Sequence, residues 1–215
     1  MSFLIFGHRG SPKRFPENTV AAFEETLRGG ADGFETDLRL LSDKTAILFH
    51  DDEANEVAIE SLTIETAGRC TRLSELAQFA GRTTMVLEVK RSNWEDILHG
   101  EISDWPDIIV ASFDHTTIAA LARRNVRFPL GLTIYGRIVD IAAYASRLGA
   151  SWVFPDYHYV DRELVEELHA RDIKVVPWTP DRPREWQELH DLGCDGVITD
   201  YPAEAVEWRS ALHNI

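Results

Sequence analysis

Two carboxylates stand two positions apart in Gly33-Phe34-Glu35-Thr36-Asp37-Leu38-Arg39-Leu40. Leu41-Ser42-Asp43-Lys44 follows, and then Thr45-Ala46-Ile47-Leu48-Phe49-His50. Both flanks carry β-branched and aromatic residues around a turn-forming centre, which predicts two strands. So short a link joins antiparallel neighbours only, because parallel strands need a crossover of a dozen or more residues. With Ser42-Asp43 at the turn centre, Glu35 falls opposite His50. Residues two apart on a strand share a face, so Glu35, Asp37 and an imidazole would occupy one small patch. An outward-facing polar edge also produces Glu-x-Asp. The polar residues elsewhere in the chain decide between these readings.

The elements that must hold this patch are legible in order. Phe3-Leu4-Ile5-Phe6-Gly7 is a short apolar strand with His8-Arg9-Gly10 at its carboxyl end. Pro12 and Pro16 mark a loop. Asn18 or Thr19 then caps a helix whose buried stripe is Val20, Phe23 and Leu27, and Gly29-Gly30 ends it. After Asp51 the strand signal lapses until Thr84, with short helices expected at 61–69 and 74–80. Thr84 to Lys90 is a strand with Glu88 and Lys90 on one face. Further strands at 108–111, 130–134, 152–154, 174–178 and 196–199 alternate with helical patterns at 115–124, 138–148, 161–170 and 183–192, and Pro202 opens a closing helix. That makes eight parallel strands, with residues 45–50 as an antiparallel return. The expected fold is α/β: a (β/α)₈ TIM barrel with a hairpin return strand after the second strand. An open doubly wound sheet is the alternative, but no Gly-x-Gly-x-x-Gly or P-loop follows any strand.

Length and composition bound the rest. The 215 residues suit a single domain spanning 1–215, and 44% hydrophobic residues supply an ordinary soluble core. No apolar run approaches a membrane span, and Phe3 to Phe6 is too short for a secretory h-region. Cys70 and Cys194 suggest no disulfide framework, so a reduced, cytoplasmic setting is expected. The 22 Lys and Arg against 36 Asp and Glu leave a formal net charge of −14. That argues against nucleic-acid partners and anionic membranes. A small anionic substrate remains compatible, because a bound cation reverses the local sign. Oligomeric state leaves no signature.

In such a barrel the carboxyl ends of the strands form the active face. His8, Arg9, Glu35, Asp37, Glu88, Lys90, Ser112, Trp178 and Asp200 all fall there, and the returning arm brings His50 back to it. Singly, each has a structural explanation: Lys90 snorkels, Trp178 packs, Asp200 caps the helix after Tyr201-Pro202. Together they suggest a site. Glu35, Asp37 and Glu88 suit a hard divalent metal, Mg²⁺ or Ca²⁺, and no Cys/His cluster has zinc-like spacing. Two histidines beside a cation, with Arg9 and Lys90, suit phosphoryl chemistry. One imidazole would take the nucleophile's proton while the other protonates the leaving oxygen. Cys70, His99, His158, His169 and His190 have no evident role.

The ordered set His8-Arg9-Gly10, Pro16-Glu17-Asn18-Thr19, Glu35-x-Asp37, His50-Asp51, Glu88-x-Lys90, Trp178-Thr179 and Gly196-Val197-Ile198-Thr199-Asp200-Tyr201-Pro202 resembles the glycerophosphodiester phosphodiesterase family. The resemblance spans nearly the whole chain. It implies a TIM-barrel phosphodiesterase that acts on a small-molecule phosphodiester, releasing glycerol 3-phosphate and an alcohol. It further implies that Glu35, Asp37 and Glu88 bind the metal, that His8 and His50 are the acid/base pair, and that Arg9 and Lys90 contact phosphate, with Trp178 at the substrate end. Two departures stand out. Family members usually carry a cap after the His-Asp pair, whereas residues 52–83 make only a shortened insertion here. The family's Trp-Thr-Val-Asn is Trp178-Thr179-Pro180-Asp181. Both touch the substrate end, so weak discrimination among leaving alcohols is expected.

Two other readings compete. One is a related phosphodiesterase or lyase of the same superfamily, acting on another head group through a cyclic phosphate. The other is a non-catalytic binding barrel, whose expected mark is loss of a histidine; His8 and His50 are both present.

Overall fold

The computed structural model describes residues 3–212. The chain begins with β1 (Leu4–Gly7), α1 (Val20–Arg28), β2 (Gly33–Leu40) and β3 (Ala46–Leu48). The pair β4 (Glu53–Ala54) and β5 (Val57–Ala58) follows, then 3-10 turns at Ile59–Ser61 and Leu73–Phe79. Next come β6 (Thr84–Val89), α2 (Glu95–Ile102), β7 (Ile108–Ser112), α3 (His115–Arg123), β8 (Leu130–Ile134) and α4 (Ile141–Arg147). The last third holds β9 (Trp152–Pro155), a turn at Tyr157–Tyr159, α5 (Arg162–His169), β10 (Lys174–Val175), α6 (Pro183–Leu192), β11 (Gly196–Thr199) and α7 (Pro202–Leu212).

Eight parallel strands lie in the order β10-β9-β8-β7-β6-β2-β1-β11, with β3 antiparallel to β2. The ring nearly closes between its end strands: Asp195 N–H donates to Val175 O and Ile198 N–H to Pro177 O, each at 2.9 Å. The expected barrel with its return arm is therefore present. Alternate residues fill its inside, with Phe6, Val86, Ile109, Ala111, Trp152, Phe154, Val176 and Ile198 in one buried cluster. The opposite faces of the same strands bury a larger cluster against the helices, including the Phe23–Phe34 stack at 4.1 Å. Gly33 is required where β2 meets β6, because a Cβ there would lie 1.9 Å from Thr84 O. Among the described residues, no helix is long and apolar enough to cross a membrane.

Several expectations need correction. The β2–β3 register pairs Leu38 with Leu48, Arg39 with Ile47 and Leu40 with Ala46, one residue away from the register that sets Glu35 opposite His50. The cause is a three-residue turn. Lys44 takes a left-handed φ of 69°, its N–H donates to Leu41 O, and the Asp43 carboxylate accepts from Thr45 N–H. No α-helix covers 61–69, and 73–79 is 3-10 rather than α. Strand β10 stops at Val175 because Pro177 has no N–H to donate, and Trp178 is held by isolated bridges to Asp156 and Ile198. Helix α2 was not expected; it buries Leu98 and Ile102, one turn apart. Thr19, not Asn18, caps α1, accepting from Ala22 N–H at 3.3 Å, and the helix buries Ala22, Phe23 and Thr26 while Val20 and Leu27 are half-buried. That cap contributes about 1 kcal/mol, and it leaves Asn18 available for other partners.

Candidate active site

Parallel pairing sets Asp37 of β2 directly beside Glu88 of β6, and Glu35 lies one pleat behind on the same face. All three carboxylates are buried, and each offers an oxygen within 4.8 Å of the others. Lys90, just past β6, reaches both neighbours: its Nζ is 2.7 Å from Asp37 Oδ1 and makes a closer contact to Glu88 Oε1. On the other side, Arg9 Nε lies 3.2 Å from Asp37 Oδ2, and Arg9 Nη1 pairs with Glu17. Arg9 holds a left-handed φ of 52°, which turns its backbone N–H onto Glu35 Oε2 at 3.1 Å. The next residue, Gly10, has φ 90° and packs so tightly on α1 that a Cβ would meet Ala22 Cβ at 2.7 Å.

Three buried anions beside two cations leave the cluster electrostatically unbalanced. Burial, then the Asp37 charge, pushes Glu35 up to about 8. Burial also raises Glu88. Burial pushes Asp37 the same way, but Lys90 and Arg9 outweigh it and hold Asp37 below the usual carboxylate range. A site of converging, under-compensated oxygen donors could hold a hard divalent cation such as Mg²⁺ or Ca²⁺.

Each histidine is fixed by a carboxylate. His8 Nδ1 lies 2.7 Å from Asp200 Oδ1, and Lys13 Nζ lies 2.7 Å from Asp200 Oδ2. Burial opposes protonation of His8, yet the Asp200 hydrogen bond and the Glu35 charge outweigh it and raise its pKa. Asp200 is itself depressed to about 2: burial works against this, and the His8 and Lys13 hydrogen bonds prevail. His50 Nδ1 lies 2.8 Å from Asp51 Oδ1. The His50 backbone is tied down by the buried Arg39, whose Nη2 donates to His50 O at 2.8 Å and to Asp52 Oδ1 at 2.7 Å.

His8, Arg9, Glu35, Asp37, His50, Glu88, Lys90 and Trp178 all line one cavity at the carboxyl ends of the strands, about 450 Å³ out to open solvent. These eight expected site residues therefore reach the same place, whereas Ser112 and Asp200, also expected at the active face, do not line the cavity. The remaining wall is Val86, Ala111, Phe113, Phe154 and Ile198, with Thr133 the one polar member. Trp178 donates from Nε1 to Phe154 O at 2.9 Å and meets Phe113 edge-on at 5.5 Å. No residue of 52–83 lines this cavity. Part of that insertion instead packs Ile59 with Leu41 and Ile47 in a separate small core. Ser112 is structural: buried, it donates to Val89 O at 2.6 Å.

The roles of Asn18 and Arg39 were missed, and Asp200, expected at the active face, gains its partner only in the structure. Asn18 donates from Nδ2 to Asp37 Oδ2 at 2.9 Å and accepts from Thr36 Oγ1 at 2.6 Å, so it orients a cluster carboxylate. Arg39 continues the Glu35-x-Asp37 face by two residues, a signal that was available. Asp200 faces His8 rather than capping α7, and only the closure of β11 against β1 brings the two together.

A family model described as the glycerophosphoryl diester phosphodiesterase family matches residues 8–106 and 77–204. A glycerophosphodiester phosphodiesterase of Caldanaerobacter subterraneus is 27% identical over 94% of this chain and 96% of the relative. One from Bacillus altitudinis is also 27% identical, over 97% and 98%. Among solved structures, a Thermotoga maritima glycerophosphodiester phosphodiesterase superposes with a TM-score of 0.85 at 23% identity, covering 96% of this chain and 98% of that one. An Oleispira antarctica phosphodiesterase, solved in complex with its product sn-glycerol-3-phosphate, gives 0.87 at 19% identity, covering 95% and 96%. These structures share the fold. The family model spans nearly the whole chain and every residue of the cavity, and the chain belongs to the glycerophosphoryl diester phosphodiesterase family.

Proposed function

We propose that the protein hydrolyses glycerophosphodiesters to glycerol 3-phosphate and an alcohol, with a divalent cation held by Glu35, Asp37 and Glu88. One observation carries this reading: two carboxylate-fixed histidines, two cationic side chains and a three-carboxylate cluster line a single cavity. Arg9 and Lys90 bind the phosphate oxygens and orient the ester for attack. With Asp200 on Nδ1, the neutral His8 ring carries its proton on that nitrogen and turns Nε2 to the cavity, and Asp51 fixes His50 in the same sense. One imidazole takes the nucleophile's proton and the other delivers a proton to the leaving oxygen. The bound cation would stabilise negative charge on the phosphoryl oxygens and the nucleophile. Asn18 keeps Asp37 turned to the cluster, and Arg39 holds the His50 loop at the cavity edge. Residues 52–83 act as a reduced cap on one domain formed by 1–215, and their absence from the cavity wall supports that reading.

A panel of glycerophosphodiesters assayed with Mg²⁺, Ca²⁺ and chelator tests the proposal. Glycerol 3-phosphate should form with one of the metals and cease on chelation. Turnover that persists in verified metal-free protein would overturn the metal assignment, and no turnover of any diester would overturn the activity.

A further inference from the structure

His8 is set by two contacts with the end of β11. Its backbone N–H donates to Thr199 O at 2.9 Å, and its Nδ1 lies 2.7 Å from Asp200 Oδ1. Whatever fixes the turn at Thr199 and Asp200 therefore fixes the imidazole. Asp181 is placed to do so. Its Oδ1 accepts from Asp200 N–H at 2.9 Å and from Thr199 Oγ1 at 3.0 Å. One carboxylate oxygen thus holds both of the residues that hold His8. Thr199 Oγ1 in turn accepts from Tyr201 N–H at 3.2 Å, which ties the turn to the start of α7.

Asp181 is itself anchored from behind. The buried Trp186 donates from Nε1 to Pro180 O at 2.8 Å, and Glu185 Oε2 accepts from Asp181 N–H at 2.8 Å. Asp181 stands just ahead of α6, where an aspartate commonly caps a helix. Its carboxylate reaches instead to Thr199 and Asp200 at the end of β11, 18 residues on from Asp181 at the nearer contact. The position is an unfavourable one for an acid. Burial raises the Asp181 carboxyl above its ordinary range and the Asp200 charge adds to the rise, against the hydrogen bonds from Asp200 N–H and Thr199 and the Lys13 charge. The acid is kept there against burial and a like charge, and the two hydrogen bonds are what it gains.

We propose that Asp181 is a positioning residue for His8, acting through Thr199 and Asp200; this rests on the acid/base role of His8 in the phosphodiesterase reading. What matters is the accepting oxygen and its place, so an amide at 181 should serve where a longer carboxylate should not. With that oxygen in place, Asp200 presents Oδ1 to Nδ1 and the ring keeps Nε2 toward the cavity. Without it, the Asp200 N–H and the Thr199 hydroxyl lose their shared acceptor, and the imidazole loses its fixed orientation.

The test measures kcat and KM for a simple alkyl glycerophosphodiester in Asp181→Ala, Asp181→Glu and Asp181→Asn proteins, each alone and combined with His8→Ala. Asp181→Ala and Asp181→Glu should each lower kcat by about tenfold, which is ~1.4 kcal/mol. KM should stay within about twofold, because the phosphate contacts are untouched. Asp181→Asn should bring kcat back to within about threefold of the unmodified protein. In the His8→Ala background, Asp181→Ala should cost nothing further, since a residue that acts only through the imidazole has nothing left to position. An unchanged kcat in Asp181→Ala would overturn the proposal, as would equal losses in the alanine and asparagine variants, or a loss that adds fully to that of His8→Ala. Asp181→Glu takes its place in the cycle should the alanine protein fail to fold, and an unchanged kcat there overturns the proposal equally. The two claims fail in different ways. Hydrolysis by the unmodified protein alongside an additive loss rejects the positioning role alone, whereas no hydrolysis of any diester rejects the diesterase reading and the role with it.

Discussion

The barrel mouth has two halves of opposite character. Strands β11, β1, β2 and β6 supply Asp200, His8, Arg9, Glu35, Asp37, Glu88 and Lys90, and nearly every one is tied to another by an ion pair or hydrogen bond. Strands β7 to β10 and their loops supply Ala111, Phe113, Phe154 and Trp178 to the same cavity. The two halves share a fold and a strand periodicity, yet they solve different problems. Charged groups buried together must be positioned tightly, because an unpaired one costs several kcal/mol. An apolar wall tolerates change as long as it keeps volume and shape. The division predicts that loss of a charged residue removes turnover, while changes across the mouth alter preference.

The acid/base pair gives the largest expected effect. His8→Ala and His50→Ala should each lower kcat by roughly 10²–10⁴-fold. The double variant should fall little further than the worse single one, because both act in one mechanism. A leaving group of low pKa, such as p-nitrophenol, should rescue only the variant lacking the general acid. Near-normal rates for either variant with an alkyl ester would break the comparison at its centre.

Next in size is the carboxylate cluster. Glu35→Gln should weaken divalent-cation binding, measured by calorimetry, by roughly 10–100-fold or more, since even second-layer changes reach that range. Unaltered binding would move the cation site elsewhere. Asp200→Asn should lower kcat by less than loss of the imidazole itself. The sign of its pH effect follows from the geometry: Asp200 raises the pKa of His8, so removing its charge lowers that pKa. The limb of the rate profile belonging to His8 should therefore move to lower pH, and an unmoved profile would reduce Asp200 to a packing role.

The smallest effect belongs to the apolar half. Thr133 is buried in the cavity wall, and Thr133→Val should change kcat for a simple alkyl glycerophosphodiester by less than about threefold, or ~0.7 kcal/mol. A hundredfold loss would place a reacting group among residues assigned here to shape alone.

The same division explains what was legible in the sequence. Strand ends carrying charged pairs stand out, because Glu35-x-Asp37, Glu88-x-Lys90 and His8-Arg9 interrupt apolar runs. The strands themselves follow from their periodicity. The hairpin register did not, since it depends on Lys44 adopting a left-handed conformation that nothing beyond Ser-Asp-Lys announces. Helix α2 hides because Gly100 interrupts a short pattern whose only fully buried apolar residues are Leu98 and Ile102. Partnerships closed across the barrel, such as Asp200 with His8 at a separation of 192 residues, have no local signature at all. The chain of ring contacts from Phe113 through Trp178 and Tyr135 to Tyr159 at the barrel mouth was invisible for the same reason. Phe113, Tyr135 and Tyr159 are single rings in separate loops, and only the circular order of the strands sets them side by side.

Phosphorus NMR on a glycerophosphodiester incubated with the metal-loaded protein tests the central claim most directly. The diester signal should give way to a single phosphomonoester, glycerol 3-phosphate, and the conversion should stop in the His8→Ala protein. A cyclic phosphate that accumulates and persists would contradict hydrolysis and assign this barrel to a lyase instead.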